Sequence, residues 1–191
     1  MNFYQADFSE ETLWRAIVLF GSNTTSYKFA LGRVLLEAVS RGDSFIRIED
    51  LASRFAHHMC QHVKEMPRQG TNPTNQFLDA CVAFSKGDLP ESDLVTATMH
   101  RQKGGLRYVI DRFHTVNKGE VPTRFYVDDR QSKNGLTLTD ELLGLVDSKH
   151  VGSLPHEVEA RWRLVETAWS LDIAPRLLEI SYSDVDEALV Y

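Results

Sequence analysis

The chain is constrained most by residues 13–38, in which two apolar helical patterns flank an uncharged polar turn over residues 21–26. Ser9 stands at the N-cap position of the first pattern and Gly21 follows its last apolar residue, so a helix is predicted over residues 10–20. The second pattern repeats its apolar residues with the i, i+3, i+4, i+7 spacing of one helix face. The sequence therefore predicts a helical hairpin near the N-terminus, with its second helix in the core.

Helical periodicity recurs along most of the remaining chain, and an alternating pattern of period two interrupts it in the C-terminal half. Further helices are predicted over residues 49–65, from an Asn72 N-cap to Gly87, after Pro90, after Gly104 and Gly105, after a Thr139 or Asp140 cap, and from Pro155. A short extended piece is predicted over residues 45–48, strands over residues 123–127 and 135–139, as a hairpin, and a closing strand over residues 177–182. The predicted fold class is mainly α (α+β): a multi-helix domain with a small β-hairpin or three-stranded sheet in the C-terminal half.

The length of 191 residues suits one hydrophobic core, since domains usually contain about 100–200 residues. We expect a single mainly helical domain over residues 1–191, with room for a small α+β subdomain over residues 120–191. No apolar run approaches the ~20 residues of a membrane span, and the N-terminus lacks the basic start and apolar segment of a secretory signal. A cytoplasmic protein without membrane contact is predicted.

Basic residues are concentrated in the middle of a chain whose net charge is −6. Residues 100–133 contain eight basic and four acidic side chains, so the rest of the chain is strongly acidic. Such a segment indicates a polyanion contact or, alternatively, a solvated charged face. The candidate nucleic-acid-binding residues are Arg101, Lys103, Arg107, Arg112, Arg124 and Arg130. Aromatic side chains that could stack on bases beside them are Tyr108, Phe113, Phe125 and Tyr126.

The polar turn of the N-terminal hairpin is a second candidate site, because it offers hydroxyls, an amide and backbone N–H groups at a helix start. The candidate anion-binding residues are Ser22, Asn23, Thr24, Thr25 and Lys28. The second glycine and the Lys-Ser/Thr ending of a phosphate loop are missing, and a helix rather than a strand precedes the turn. Nucleotide hydrolysis is therefore not expected there.

Histidines supply a weak candidate for a metal site. His58 and His62 have the i, i+4 spacing that places two imidazoles on one helix face, but Met59 and Gln61 leave no glutamate to act as a general base. Ordinary surface histidines are the alternative. Cys60 and Cys81 form no CxxC pair and are predicted to be buried reduced thiols. No catalytic residue and no cofactor is predicted within this chain.

The last strong helical pattern combines tryptophans with charged residues. Trp162 and Trp169 share its apolar face and are predicted to pack in the core. Arg161 and Arg163 could bind phosphates or carboxylates, because a guanidinium suits both.

Five segments of the chain are distinctive together: Leu-Trp-Arg-Ala-Ile-Val-Leu-Phe-Gly from position 13, Ser-Tyr-Lys-Phe-Ala-Leu from 26, Phe-Leu-Asp-Ala-Cys from 77, Val-Ile-Asp-Arg-Phe-His from 109, and Leu-Pro-His-Glu-Val-Glu-Ala-Arg-Trp-Arg-Leu-Val-Glu-Thr-Ala-Trp from 154. They resemble the N-terminal region of a family of bacterial HNH endonuclease-domain proteins. The resemblance implies that a metal-dependent HNH nuclease module, with paired cysteines and a catalytic histidine, follows this region in the family. This chain contains no CxxC pair and no HNH histidine, so no catalytic residue transfers to it, and a divalent metal is expected only in a downstream module.

Two functional hypotheses follow. The first is an accessory domain of an HNH-type endonuclease that binds DNA or positions the nuclease, and that is non-catalytic on its own. The alternative is a protein-interaction or dimerisation module of a bacterial defence-type system, which binds a second copy or another defence protein without contacting nucleic acid. A small free-standing enzyme would rest on the histidine cluster alone.

Overall fold

A computed structural model of the chain describes residues 9–21, 23–72, 75–102, 105–145, 152–175, 181–183 and 188–190. The helices are α1 (Glu10–Arg15), a π-helix (Ala16–Phe20), α2 (Tyr27–Ser40), α3 (Ile48–Glu65), α4 (Gln76–Lys86), α5 (Glu91–Met99), α6 (Gly105–Arg112), α7 (Asp140–Gly144) and α8 (Leu154–Ser170). The strands are β1 (Phe45–Arg47), β2 (Thr115–Val116), β3 (Gly119–Glu120), β4 (Tyr126–Asp129), β5 (Gly135–Leu138), β6 (Ser181–Ser183) and β7 (Ala188–Val190). The mainly α (α+β) fold class is confirmed.

Helix α2 is the central helix, and it packs against α3, α6 and α8. The helical hairpin predicted around it is present. Ser9 caps α1 by accepting a hydrogen bond from the backbone N–H of Thr12, as predicted for that position. The helix predicted over residues 10–20 continues as a π-helix after Arg15, a local widening that periodicity does not reveal.

The predicted start of α4 was wrong. Asn72 does not cap this helix; Asn75 does, and its side-chain oxygen accepts a hydrogen bond from the backbone N–H of Leu78 at 3.0 Å. The amide nitrogen of the same side chain donates to the hydroxyl of Tyr27 at 2.8 Å. The Asn75 side chain therefore both caps α4 and ties its start to α2. At its other end, α4 stops at Gly87 in a left-handed conformation, as expected for a glycine C-cap.

The three-stranded sheet contains the predicted hairpin and one strand from the N-terminal half. Strands β4 and β5 pair antiparallel, and β1 pairs with the other edge of β5, so that Ile46 lies opposite Leu136. Gly135 permits this pairing, because a β-carbon there would collide with the carbonyl oxygen of Ile46 and the ring of Phe45. The sheet therefore joins the connection between α2 and α3 to the C-terminal half.

Two small hairpins were not predicted as such. Strands β2 and β3 pair across a two-residue turn, Asn117 and Lys118, both of which adopt positive φ values, 50° and 68°. Strands β6 and β7 pair near the C-terminus. The single strand predicted over residues 177–182 overlaps β6, and residues 177–180 lie outside the described residues.

The core confirms the sequence interpretation of the cysteines and tryptophans. Cys60 and Cys81 are buried and form no disulfide, and both Trp162 and Trp169 are buried on α8. Within the described ranges, none of the helices combines the length and apolar character needed to cross a bilayer.

Candidate nucleic-acid interface

Helix α6 exposes two arginines of the predicted basic segment. Leu106, Val109 and Ile110 face the core, whereas Arg107 and Arg112 are exposed on the opposite side. The buried and exposed residues are separated as the helical period requires, so these arginines of the predicted basic segment share the exposed face of α6. A cleft lies on each side of the exposed face.

The first cleft has a volume of about 200 Å³ and combines an apolar floor with a basic rim. Leu106 and Ile110 form part of the floor, and the rim contains Arg101, Arg107 and Arg130. Three of the predicted nucleic-acid-binding arginines are thus brought together from a helix, the segment before it and the β4–β5 connection.

The arginines of the first cleft differ in their availability. Arg130 forms ion pairs with Asp111 and Asp128, and these carboxylates raise the pKa of its guanidinium. Arg107 approaches Asp111 only at 3.8 Å and remains half exposed, and Arg101 is exposed. Since Arg130 is already compensated, Arg101 and Arg107 are the cations that this cleft can offer to an anion.

The second cleft, with a volume of about 240 Å³, lies between α6, the N-terminal turn and the β2–β3 turn. Thr24 and Thr25 line it on one side, Arg112 on α6, and Lys118 on the β2–β3 turn. Two regions that the sequence presented separately, the polar turn and the basic segment, therefore meet at one cleft.

An exposed aromatic side chain stands at the second cleft. The guanidinium carbon of Arg112 lies 4.5 Å from the ring centroid of Tyr108, a cation–π arrangement. The hydroxyl oxygens of Tyr108 and Thr24 are 3.4 Å apart. The other three aromatic side chains predicted to stack on bases, Phe113, Phe125 and Tyr126, are buried, which leaves Tyr108 as the stacking candidate among them.

Lys28 occupies the base of the turn. Its ammonium donates to the carbonyl oxygen of Gly21 at 2.6 Å and to that of Ile17 at 3.3 Å, so the side chain caps the C-terminal end of the π-helix. Burial, with a smaller contribution from the charge of Arg161, holds the pKa of Lys28 well below its usual range. Lys28 thus supports the turn from within.

The remaining predicted binding residues occupy other places. Arg124 lines neither cleft and forms an ion pair with Glu120. Asn23 is half-buried in the turn. Ser22 and Lys103 lie outside the described residues.

The two histidines of the candidate metal site, His58 and His62, contact different carboxylates. His58 contacts Glu37 at 3.0 Å, whereas His62 is buried and lies 2.8 Å from Glu166 through Nδ1 and 3.3 Å from Glu159 through Nε2. In the part of the chain that the structure describes, no group of three or more histidine, cysteine or carboxylate side chains is placed to hold a metal ion.

A buried polar network surrounds His62. Its ring stacks on Trp162 with centroids 3.5 Å apart, and Gln69 donates to the Glu166 carboxylate at 2.5 Å. Gln69 also accepts hydrogen bonds from Ser26 and from the indole of Trp162. Sequence reasoning missed Gln69, because a glutamine in a polar loop carries no periodicity signal. The network joins α2, α3 and α8 in the core and is structural.

His62 predicts a pH dependence of stability. Burial alone would lower the pKa of His62, but its hydrogen bonds and charge interactions with Glu159 and Glu166 outweigh burial and raise the pKa above 6.5. Because the folded protein then binds the proton more tightly than the unfolded chain, the stabilisation is complete below about pH 6.5 and is lost as the pH rises through the folded pKa. Denaturant unfolding between pH 6 and pH 9 should show stability falling with pH, and the slope should flatten in His62→Gln. His57→Gln, which removes an exposed imidazole, should keep the wild-type slope; equal slopes in wild type and His62→Gln would contradict this assignment.

Comparisons of this chain with protein-family models, curated proteins and solved structures gave no match.

Proposed function

We propose that this chain binds the phosphate backbone of DNA through the exposed face of α6, as an accessory domain of an HNH-type endonuclease. The observation that carries the proposal is the convergence of two separate basic or polar segments on the clefts that flank this helix. The resemblance of the chain to the N-terminal region of HNH endonuclease-domain proteins supports the same interpretation.

The distribution of charge favours a local phosphate contact. The net charge of −6 disfavours general adhesion to polyanions, so binding must depend on a restricted patch. Arg101, Arg107, Arg112 and Lys118 are exposed on or beside α6, and they occupy both clefts. Flexible exposed cations of this kind contact phosphates and release condensed counterions, without reading sequence.

Replacing Arg101, Arg107 and Arg112 together by alanine should abolish measurable binding to a DNA duplex at physiological salt. For the wild type, log K should fall linearly with log salt, and loss of three phosphate contacts should reduce the magnitude of that slope by about 2–3 at low salt. Fluorescence anisotropy of a labelled duplex across a salt series measures both quantities.

A matched control separates the patch from total charge. The variant Arg41→Ala, Lys64→Ala, Lys86→Ala removes the same number of exposed positive charges from α3, α4 and the end of α2, and it should bind like the wild type. Equal weakening by the two triple variants, salt-insensitive binding, or an unaffected α6 variant would each contradict the proposal. A concentration-dependent dimer in light scattering that is indifferent to DNA would instead support the protein-interaction alternative.

A further inference from the structure

We infer that the second cleft, the one between α6, the N-terminal turn and the β2–β3 turn, holds an unpaired DNA base stacked on Tyr108, so that the domain prefers single-stranded or locally opened DNA to closed duplex. This inference rests on the proposed function, since it names the form of DNA that the same face recognises.

Tyr108 exposes an aromatic ring in a concave site. Tyr108 is 41% exposed although it lies on a helix whose other large apolar side chains face the core. Base–aromatic stacking tolerates every base, because each base has a π-face. The ring can accept a base only when that base has left its own stack, which a closed duplex does not allow.

Arg112 lies over one face of the Tyr108 ring, with its guanidinium carbon 4.5 Å from the ring centroid. The base of our proposal therefore stacks on the opposite face of the ring. The two side chains are one turn apart on α6, and both line the cleft. Together they supply a stacking surface and a positive charge for the phosphate that is covalently joined to the stacked nucleotide.

The walls of the second cleft are polar. Thr24 and Thr25 line one side of it, and Asn117 on the β2–β3 turn lines another, with the Thr24 hydroxyl next to that of Tyr108. These groups donate and accept hydrogen bonds, which the exposed edge of an unpaired base requires. The first cleft differs, because its floor is apolar and its rim is built from arginines.

The β2–β3 turn holds a lysine in an unusual backbone conformation. Lys118 holds a φ of 68° in a position where glycine is ordinarily preferred, and its side chain lines the cleft. It makes no ion pair with any described residue. The turn therefore keeps a charged side chain, at a conformational cost, at the place where a nucleotide phosphate would lie.

The test compares one DNA strand in two forms. Anisotropy with the full chain measures its affinity for a labelled single strand of mixed sequence and for the duplex of the same strand. The wild type should bind the single strand more tightly. Tyr108→Leu should lower single-strand affinity by about tenfold to a hundredfold, the range expected for loss of one stacked base, and should bring the ratio of the two affinities close to one. Tyr108→Phe, which keeps the ring, should retain the wild-type ratio.

A second readout reports stacking directly. A 2-aminopurine base placed along the single strand should lose fluorescence on binding to the wild type and to Tyr108→Phe, and it should keep its fluorescence with Tyr108→Leu. Circular dichroism and thermal melting check that each variant is folded. Retained quenching with folded Tyr108→Leu would overturn the inference.

The outcomes also separate this inference from the proposed function. Tight, salt-dependent duplex binding with no preference for the single strand would refute the base-binding cleft and leave phosphate binding by α6 in place. Failure to bind either form would refute both. If folded Tyr108→Leu still preferred the single strand, another part of the surface would cause the preference, and the inference would be overturned.

Discussion

Replacing Glu166 by alanine should lower the free energy of unfolding by about 3–5 kcal/mol, the cost typical of removing one partner from a buried charge pair. The Glu166 side chain is only 1% exposed, and one carboxylate oxygen accepts from both His62 and Gln69. Without that carboxylate, a buried imidazole with a raised pKa loses its closest partner, and a Gln69 amide proton loses its acceptor.

Urea unfolding at pH 6, below the raised pKa of His62, measures this loss most fully. Glu166→Gln keeps the side-chain volume and one carbonyl oxygen, so it should cost less than the alanine variant. The control variant is Glu65→Ala. Glu65 lies at the end of α3 and forms an exposed ion pair with Arg163 of α8, so its loss should lower the free energy of unfolding by no more than about 1 kcal/mol. If Glu166→Ala lost no more stability than Glu65→Ala, the network would contribute little to the fold.

Replacing Trp14 by alanine should also lower the free energy of unfolding by about 3–5 kcal/mol, because removal of a large aromatic side chain would leave a cavity where several elements meet. Trp14 is buried, and its ring packs against Phe113 at 5.7 Å and edge-on to Phe125 at 5.3 Å. Phe113 directly follows α6. We therefore expect the alanine variant to weaken DNA binding as well, although Trp14 lies in neither cleft.

Thermal and urea unfolding measure the stability effect, and the duplex anisotropy assay measures the binding effect. Trp14→Phe is the matched control. The indole nitrogen of Trp14 has no hydrogen-bond partner among the described residues, so phenylalanine removes packing volume without breaking a hydrogen bond. It should cost about 1–2 kcal/mol and leave the binding nearly intact. An alanine variant as stable as the phenylalanine variant would show that the site collapses around the cavity.

Local patterns predicted most helices because burial and periodicity coincide there. Most side chains of α2 are buried. Helix α3 ends at Glu65, shortly before Pro67, as expected because proline cannot continue a helix. The β4–β5 hairpin was also predicted, since Tyr126 and Leu138 lie in alternating segments joined by a polar turn. In these elements, local propensity and tertiary packing favour the same structure.

The remaining features depend on contacts between residues distant in sequence. The extended piece over residues 45–48 was predicted, but its pairing with β5 was not, and the cap of α4, Asn75, also binds Tyr27 on α2. Gln69 enters the core through hydrogen bonds to Ser26, the residue before α2, and to Glu166 on α8. No periodicity within one segment contains such information.

The sequence predicted which basic residues belong to the candidate interface, but not which of them share a surface. The excess of basic residues in segment 100–133 predicted Arg130 and Arg112 alike as binding residues. In the structure, two carboxylates form ion pairs with Arg130, whereas Arg112 lies over an exposed ring. Arg124 lies outside both clefts. Which cations remain available depends on the carboxylates that folding brings near each one, and these come from separate elements.

The pairing of β1 with β5 also determines when the fold can be completed during synthesis. Ile46 emerges from the ribosome long before Leu136, its partner across the sheet, so the strand has no native neighbour while the intervening helices are made. Pairing over such a separation closes a large loop and is a slow step compared with helix formation. Until Gly135 arrives, the nascent chain presents an open strand edge, the feature by which incomplete chains associate with one another.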